Sequence, residues 1–471
     1  MRRRFISLSV LALGLVTSVT DVSLEAAPAQ IAFVGNASDS GPGSFRAAID
    51  RANADSAVTT IQFIGRVSTI ALQQTVWFNG PQNLTINGTG AILDGTNADG
   101  PAFRTTGGGD LTVVNLTVRN APAEGIAVEV PSSATGTVRV NLRDVAIIDN
   151  AGHGVLVNDQ DDPGTPVIEG ESAASLDVSV VGTRFIRNGY SVSDRDGLRV
   201  NEGGEGDLTI TVLLSQAEDN AADGIEVDER GKGDVRLEMF GTRIRRNGKF
   251  DPADLDDGFD IDEAGDGSVL GSVMLSEAND NYEEGFDFNE NDGGDLRVDM
   301  LLVEASRNGE EGIDYEEDDD FAGGGDLVTT MELVKTNGNR GGDAGLKIRE
   351  KGDGSLDVTL KGVEASNNLA GGISVREDVV GTLTAAISRA TALANTGHGI
   401  DFDENRGSAA DVMGILTAKV SQSTSSGNGG AGVRADSQTP GVGTLLLQKV
   451  TLEGNTGGAT TGGNVVVTIV P

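Results

Sequence analysis

The stretch DGFDIDE at 257–263 has near copies at 223–229 (DGIEVDE), 284–290 (EGFDFNE), 311–317 (EGIDYEE) and 398–404 (HGIDFDE). Aligning the glycine that opens each copy gives Gly125, Gly154, Gly197, Gly224, Gly258, Gly285, Gly312, Gly345, Gly372, Gly399 and Gly432, and five of the ten intervals are 27 residues. An asparagine usually precedes that glycine by four (Asn150, Asn220, Asn281, Asn308, Asn368, Asn395, Asn428). A third marker, Asp207, Asp234, Asp295, Asp326 or a serine, precedes the asparagine by thirteen. Extra residues enter elsewhere, at 159–170, 189–195, 248–254 and 318–324.

A repeat this short cannot bury its own core and must stack on its neighbours. A helical repeat would space its apolar residues by three and four; here they alternate, as in Leu208, Ile210, Val212 and in Ile225, Val227. Each unit therefore reads as three short strands joined by turns. An all-β sandwich would not keep fixed offsets over so many units. The prediction is a right-handed parallel β-helix of about twelve coils, each strand pairing with its counterpart one coil away, about 4.8 Å distant. The asparagine suits a sharp turn, because it tolerates positive φ and its side chain can stack in a column.

Residues 1–29 read as an export signal: Arg2–Arg4, an apolar run from Phe5 to about Val19, then Ala27-Pro28-Ala29. The division expected is signal peptide 1–29, an N-terminal cap with the first coils at 30–110, and the repeat domain at 111–471, with no transmembrane segment in the mature chain. Removing the signal takes three Arg, Asp21 and Glu25 from a chain of formal charge −37, leaving −38. Such a surface repels nucleic acid and anionic membranes and favours cations. With no cysteine, stability has to come from strand pairing, packing or bound ions.

The segment GPGSFRAAIDRANAD at 41–55, followed by TTIQFIG, STIAL, NLTINGTGAILDG and LTVVNLTVRNAPAEGIAV, resembles the start of bacterial exported β-helix proteins of the pectate-lyase-like superfamily. These often carry a G-S-L-R-x-A-I segment, with Phe45 here in place of the leucine. The resemblance implies the fold; its members include lyases, hydrolases, adhesins and non-catalytic proteins, so activity stays open. Read from the residues, 44–53 form a short helix capped by Ser44, with Phe45, Ala48, Ile49 and Ala52 on one face, placed to cover the first coil.

Two charge columns follow from the stacking. Arg119, Asp149, Arg187, Asp219, Arg246, Asp280 and Arg307 precede the asparagines and alternate in sign, which predicts vertical ion pairs that fix register. The acidic strands differ. Their second and fourth residues point outward and place Glu226, Asp228, Asp260, Asp262, Asp287, Asp314 and Glu316 on one sheet with no cation among them. These are the candidate metal ligands, for a hard cation such as Ca²⁺, against the plainer reading of a solvated acidic face. The fifth position is glutamate in eight successive coils, Glu202 to Glu404, where hydrogen bonds from the glycine-rich turns are favoured over ion binding.

Lys347 and Arg349 follow the acids in the same columns and are the weak catalytic candidates, as bases of a Ca²⁺-dependent polysaccharide lyase; the plainer reading is a basic patch. A glycoside hydrolase built on two carboxylates is a further alternative. Phe259, Phe286, Phe288, Tyr315 and Phe402 fall at inward positions and read as core; Tyr190 and Phe250 sit in insertions, as better contact candidates. His153 and His398, both in GHG, occupy the turn column held elsewhere by Asp223, Asp257, Glu284 and Glu311, and read as turn residues. The functional expectation is an exported, non-catalytic protein with a cation-binding face that binds polysaccharide or cell-surface components.

Overall fold

The computed structural model describes residues 29–160, 171–252, 255–318, 324–352, 354–379, 381–404, 414–437 and 443–471. The expected export signal falls at 1–29, of which only residue 29 lies within the described residues. Among the described residues no helix is long and apolar enough to cross a membrane.

The chain winds as a parallel β-helix. One sheet has fourteen strands, from Val76–Phe78 to Thr460–Thr461, and another has twenty-two, both built by parallel pairing of each strand with its equivalent one coil away. Fourteen exceeds the expected twelve because strands Val76–Phe78, Phe103–Thr105 and Thr460–Thr461 lack the glycine-acid signature that marks the other eleven. Alternation puts one apolar face of each strand inward, and these faces merge into one core running the length of the helix. Phe259, Phe286, Phe288, Tyr315 and Phe402 are fully buried there. The rings of Phe288 and Tyr315 stack with centroids 4.9 Å apart.

The helix Phe45–Ala54 begins at Ser44, whose hydroxyl accepts from the Ala47 amide, and it buries Phe45, Ala48, Ile49 and Ala52. Phe45 packs on Phe63 and Phe103, so the helix covers apolar surface that the first coil would otherwise leave open.

The asparagines do stack. Asn247 Nδ2 donates to Asn281 Oδ1 at 3.1 Å and Asn281 Nδ2 to Asn308 Oδ1 at 3.2 Å, and the same bond recurs along a buried column. From Asn150 onward, however, the backbone of the stacked asparagines is not left-handed. Positive φ belongs to the preceding residue, such as Asp219 (58°), Arg246 (58°), Asp280 (63°) and Arg307 (64°). That residue turns the corner and leaves the asparagine facing inward, where its amide satisfies turn groups that would otherwise be buried unpaired. The marker glycine is required for closeness rather than φ: a Cβ on Gly258 would lie 2.4 Å from Asn281 Nδ2 and 2.5 Å from the Gly285 carbonyl.

The alternating column starts at Asp149, since Arg119 registers with Ile148 and pairs with Asp94, and it forms pairs rather than a continuous ladder. Each arginine reaches back one coil: Arg187 to Asp149, Arg246 to Asp219 and Arg307 to Asp280, all with two hydrogen bonds.

Candidate functional site

The strand register places the outward residues of the fourteen-stranded sheet in two columns. The first runs Trp77, Arg104, Ala127, Leu156, Arg199, Glu226, Asp260, Asp287, Asp314, Lys347, Ser374, Asp401, Arg434. The second runs Glu129, Asn158, Asn201, Asp228, Asp262, Asn289, Glu316, Arg349, Arg376, Asp403. An aromatic and arginine-bearing stretch thus leads into an acidic block, which a basic patch closes.

These columns are not an open face. Glu226, Asp228 and Asp314 are buried, and Asp260, Asp262, Asp287 and Glu316 half-buried. One wall is the insertion 189–195. Asp194 of that insertion pairs with Arg199, and Arg195 lies against His153. Tyr190 makes an edge-on ring contact with Phe250 of the next insertion and donates its hydroxyl to the Asp219 carbonyl. The acids therefore occupy a cleft.

The two columns then part in character. Asp228 pairs with Arg199 and Arg230. Glu316 is held by Lys347, Lys351 and Arg349, and although burial would raise its carboxyl these cations keep it below the ordinary range. Asp262 is raised by burial and by Asp228, with Asn289 opposing. The first column has fewer partners. Asp260 and Asp287 each bury one oxygen (Oδ1) without a donor; so does Asp314, which is only 5 % exposed, while Lys347 takes its Oδ2. Burial and then neighbouring carboxylates push Asp260 and Asp314 well above the usual range, and Asp287 up to about 7.

Acids from the turn column converge on this first column. Carboxylate oxygens approach within 4.8 Å of one another in Asp194, Asp196 and Glu226; in Asp223, Glu226 and Asp260; and in Asp257, Asp260 and Asp287. Asp223 and Asp257 use one oxygen to accept the backbone N–H of the next turn, Asp257 and Glu284 respectively. Their role in the turn is thus real, but it occupies only Oδ1. Burial and like charges raise both well above the carboxylate range. Sequence alone gives these residues a turn role and nothing more. Their signal was coincidence: Asp or Glu fills the turn column in the same coils where acids fill the strand. His153 and His398 do behave as turn residues, their Nδ1 atoms accepting from the Asp196 and Ala431 amides.

Lys347 donates to Asp314 at 2.7 Å and pairs with Glu316. Burial alone would lower its ammonium, but these carboxylates outweigh it and hold the group above its ordinary value. Arg349 pairs with Asp378, and its guanidinium is likewise raised against burial.

At the N-terminal end of the cleft lies a cavity of about 550 Å³, lined among others by Arg104, Glu129, Leu156, Asn158, Arg199 and Asn201. Exposed Trp77 adjoins it, with the Arg104 guanidinium 5.4 Å above its ring. Arg199 links cavity and acids, reaching Asp194, Asp196, Glu226 and Asp228 at once.

No protein-family model and no curated protein matches the chain. Among solved structures it is similar to the catalytic domain of a GH87 alpha-1,3-glucanase in complex with tetrasaccharides, at 11% identity and a TM-score of 0.37, over 92% of this chain and 68% of that one. It is also similar to the A-module of an Azotobacter vinelandii mannuronan C-5 epimerase, at 13% identity and a TM-score of 0.36, over 90% of this chain and 94% of that one. At such distance no residue carries over, and the site has to be read from its own geometry.

Proposed function

We propose that this chain is an exported β-helix protein that holds hard divalent cations, Ca²⁺ the representative one, in the acidic cleft, and binds a polysaccharide or cell-surface ligand along the same groove without altering it chemically. The observation that supports this reading is the convergence of oxygens from Glu226, Asp260 and Asp287 with those of Asp223 and Asp257, together with the donor-less buried oxygens of Asp260, Asp287 and Asp314. Hard cations take six to eight oxygens and few other donor types, which is the donor set here. Asp228, held by two arginines, and Glu316, held by two lysines and an arginine, drop out of the ligand set, whereas Glu226 and Asp314 each have a single cation partner. The cation would cancel like charges stacked on adjacent strands and leave the cleft rigid. The cavity beside Trp77, with its mixed amide, guanidinium and carboxylate lining over an apolar Leu156 floor, suits a hydroxyl-rich ring.

The alternative, a Ca²⁺-dependent lyase or a hydrolase acting on uronate-containing polymers, has less support. A lyase base must lose its proton, and Lys347 and Arg349 are both held charged by carboxylates. Calorimetric titration with Ca²⁺ and then with a panel of polysaccharides tests the proposal. Ca²⁺ binding that disappears in the joint Asp260→Asn, Asp287→Asn variant is expected, and so is saccharide binding that weakens in Arg104→Ala. Absence of Ca²⁺ binding to the parent would refute the cation reading, and absence of any saccharide binding the second half.

A further inference from the structure

The glutamates that close the acidic strands, Glu202, Glu229, Glu263, Glu290, Glu317, Glu350, Glu377 and Glu404, pair directly with one another in register through eight coils. All are fully buried, on the side of the strand end away from the cleft columns. One oxygen of each has a defined task. Glu350 Oε1 accepts the Gly352 and Gly354 amides at 2.6 and 3.3 Å, and Glu290 Oε1 those of Asp292 and Gly294 at 3.3 and 3.0 Å. Glu377 Oε1 accepts from Val379, and Glu404 Oε2 from the Ser437 hydroxyl. Glycine is needed in these turns, since a Cβ on Gly265 would lie 1.7 Å from the Gly231 carbonyl.

The other oxygen is buried with no donor in Glu202, Glu229, Glu263, Glu290, Glu350, Glu377 and Glu404. Coils stack about 4.8 Å apart, so its polar neighbours are the carboxylates above and below. Lone pairs facing lone pairs in a buried place require something between them. Among the described residues no lysine or arginine forms an ion pair with any of these seven glutamates. The titratable groups facing the column are themselves acids: Asp159 at its start, Asp378 beside Glu377 and Asp403 beside Glu404. A metal ion would meet too few oxygens, with turn N–H groups crowding the rest of its shell. A proton needs only two oxygens.

We propose that the last three members of the column, Glu350, Glu377 and Glu404, form a proton-sharing ladder: neighbouring glutamates hold protons between them at neutral pH, and the ladder fastens coil to coil until alkali removes them. The direction of titration agrees. Burial first, then neighbouring glutamates, raise Glu350 to about 10; burial chiefly raises Glu377 to about 7 and also lifts Glu404. A carboxyl raised in the folded state contributes stability that is complete below its unfolded value and lost as pH rises through the folded one. The window here runs from about 4.5 up through about 7 to 10.

The test uses the full chain, metal-free, and a variant with Glu350→Gln, Glu377→Gln and Glu404→Gln, three positions remote from the cation ligands. A glutamine accepts the turn amide (at 404, the Ser437 hydroxyl) with its oxygen and donates N–H to the neighbouring side-chain oxygen, carboxylate or amide, copying the protonated state without titrating. The parent should show the infrared carbonyl band of protonated carboxyls at neutral pH, weakened in the variant. Its Tm should fall between about pH 6 and about pH 10, and that of the variant distinctly less. A parent with no such band at neutral pH, a band the variant leaves unchanged, or a variant whose Tm falls as steeply as the parent's would each overturn the ladder. So would a chelator-sensitive Tm that the triple substitution abolishes, since it would place a metal there instead. Should the triple variant not fold, Glu377→Gln alone gives the same comparison.

Discussion

Replacing Asp287 by asparagine should have opposite consequences with and without divalent cations. In the folded chain burial, then Asp262 and Glu316, raise the Asp287 carboxyl from 3.8 to about 7. A rise of that size corresponds to about 4 kcal/mol, a ceiling that the partly exposed side chain reduces to about 2 kcal/mol. Because the folded value is raised, this penalty is absent below about pH 4 and fully developed only above about pH 7. In chelator at mildly alkaline pH the Asp287→Asn chain should therefore be the more stable one; the Asn289 Nδ2 that now donates to Asp287 keeps an acceptor in the new amide. At acid pH the two chains should match. A hundredfold excess of Ca²⁺ over its dissociation constant should stabilise the parent by about 2.7 kcal/mol. For 471 residues the unfolding entropy is about 1 kcal/mol/K, so the shift is about 3 °C. The assay is thermal unfolding at two pH values, in chelator and in Ca²⁺, against sodium salt of equal ionic strength. A variant less stable than the parent in alkaline chelator, or one that keeps the whole Ca²⁺ shift, would refute the reasoning.

Asp219→Arg should lower Tm more than Asp219→Asn, because it removes the partner of Arg246 and sets three arginines in succession with Arg187; equal Tm values would dissolve the register role of these pairs. Lys347→Ala should free Asp314 for a cation and increase Ca²⁺ uptake in calorimetry. The parent should release no unsaturated product from uronate polymers, and an ultraviolet rise from that chain which Lys347→Ala abolishes would restore Lys347 as a base.

Parallel stacking converts an interval in sequence into adjacency in space. That is why the vertical neighbours of Asp260, and the burial of Phe259 and Phe288, could be read from glycine spacing and alternation alone. The same logic located the glutamates and their turn amides. It fails at corners. Periodicity does not say which corner residue takes positive φ, so Asp280 was hidden behind Asn281, nor where a corner side chain aims its second oxygen, so Asp223 and Asp257 looked merely structural. Nor does it foresee that the insertion 189–195 reaches back to the sheet, Asp194 to Arg199 and Arg195 to His153, and walls the expected face.

Where successive coils of the repeat differ in length, the strands of the acidic sheet keep their pairing: Asn201 meets Asn158 across a gap of 43 residues as squarely as Asp287 meets Asp260 across 27. Floor and walls of the groove are therefore independent variables. A wall can lengthen, shorten or change its chemistry at the modest entropic cost of a longer loop, while the hydrogen-bonded floor keeps its register. A lineage of such chains is free to explore new ligands by rewriting corners, with the charge pattern beneath inherited intact.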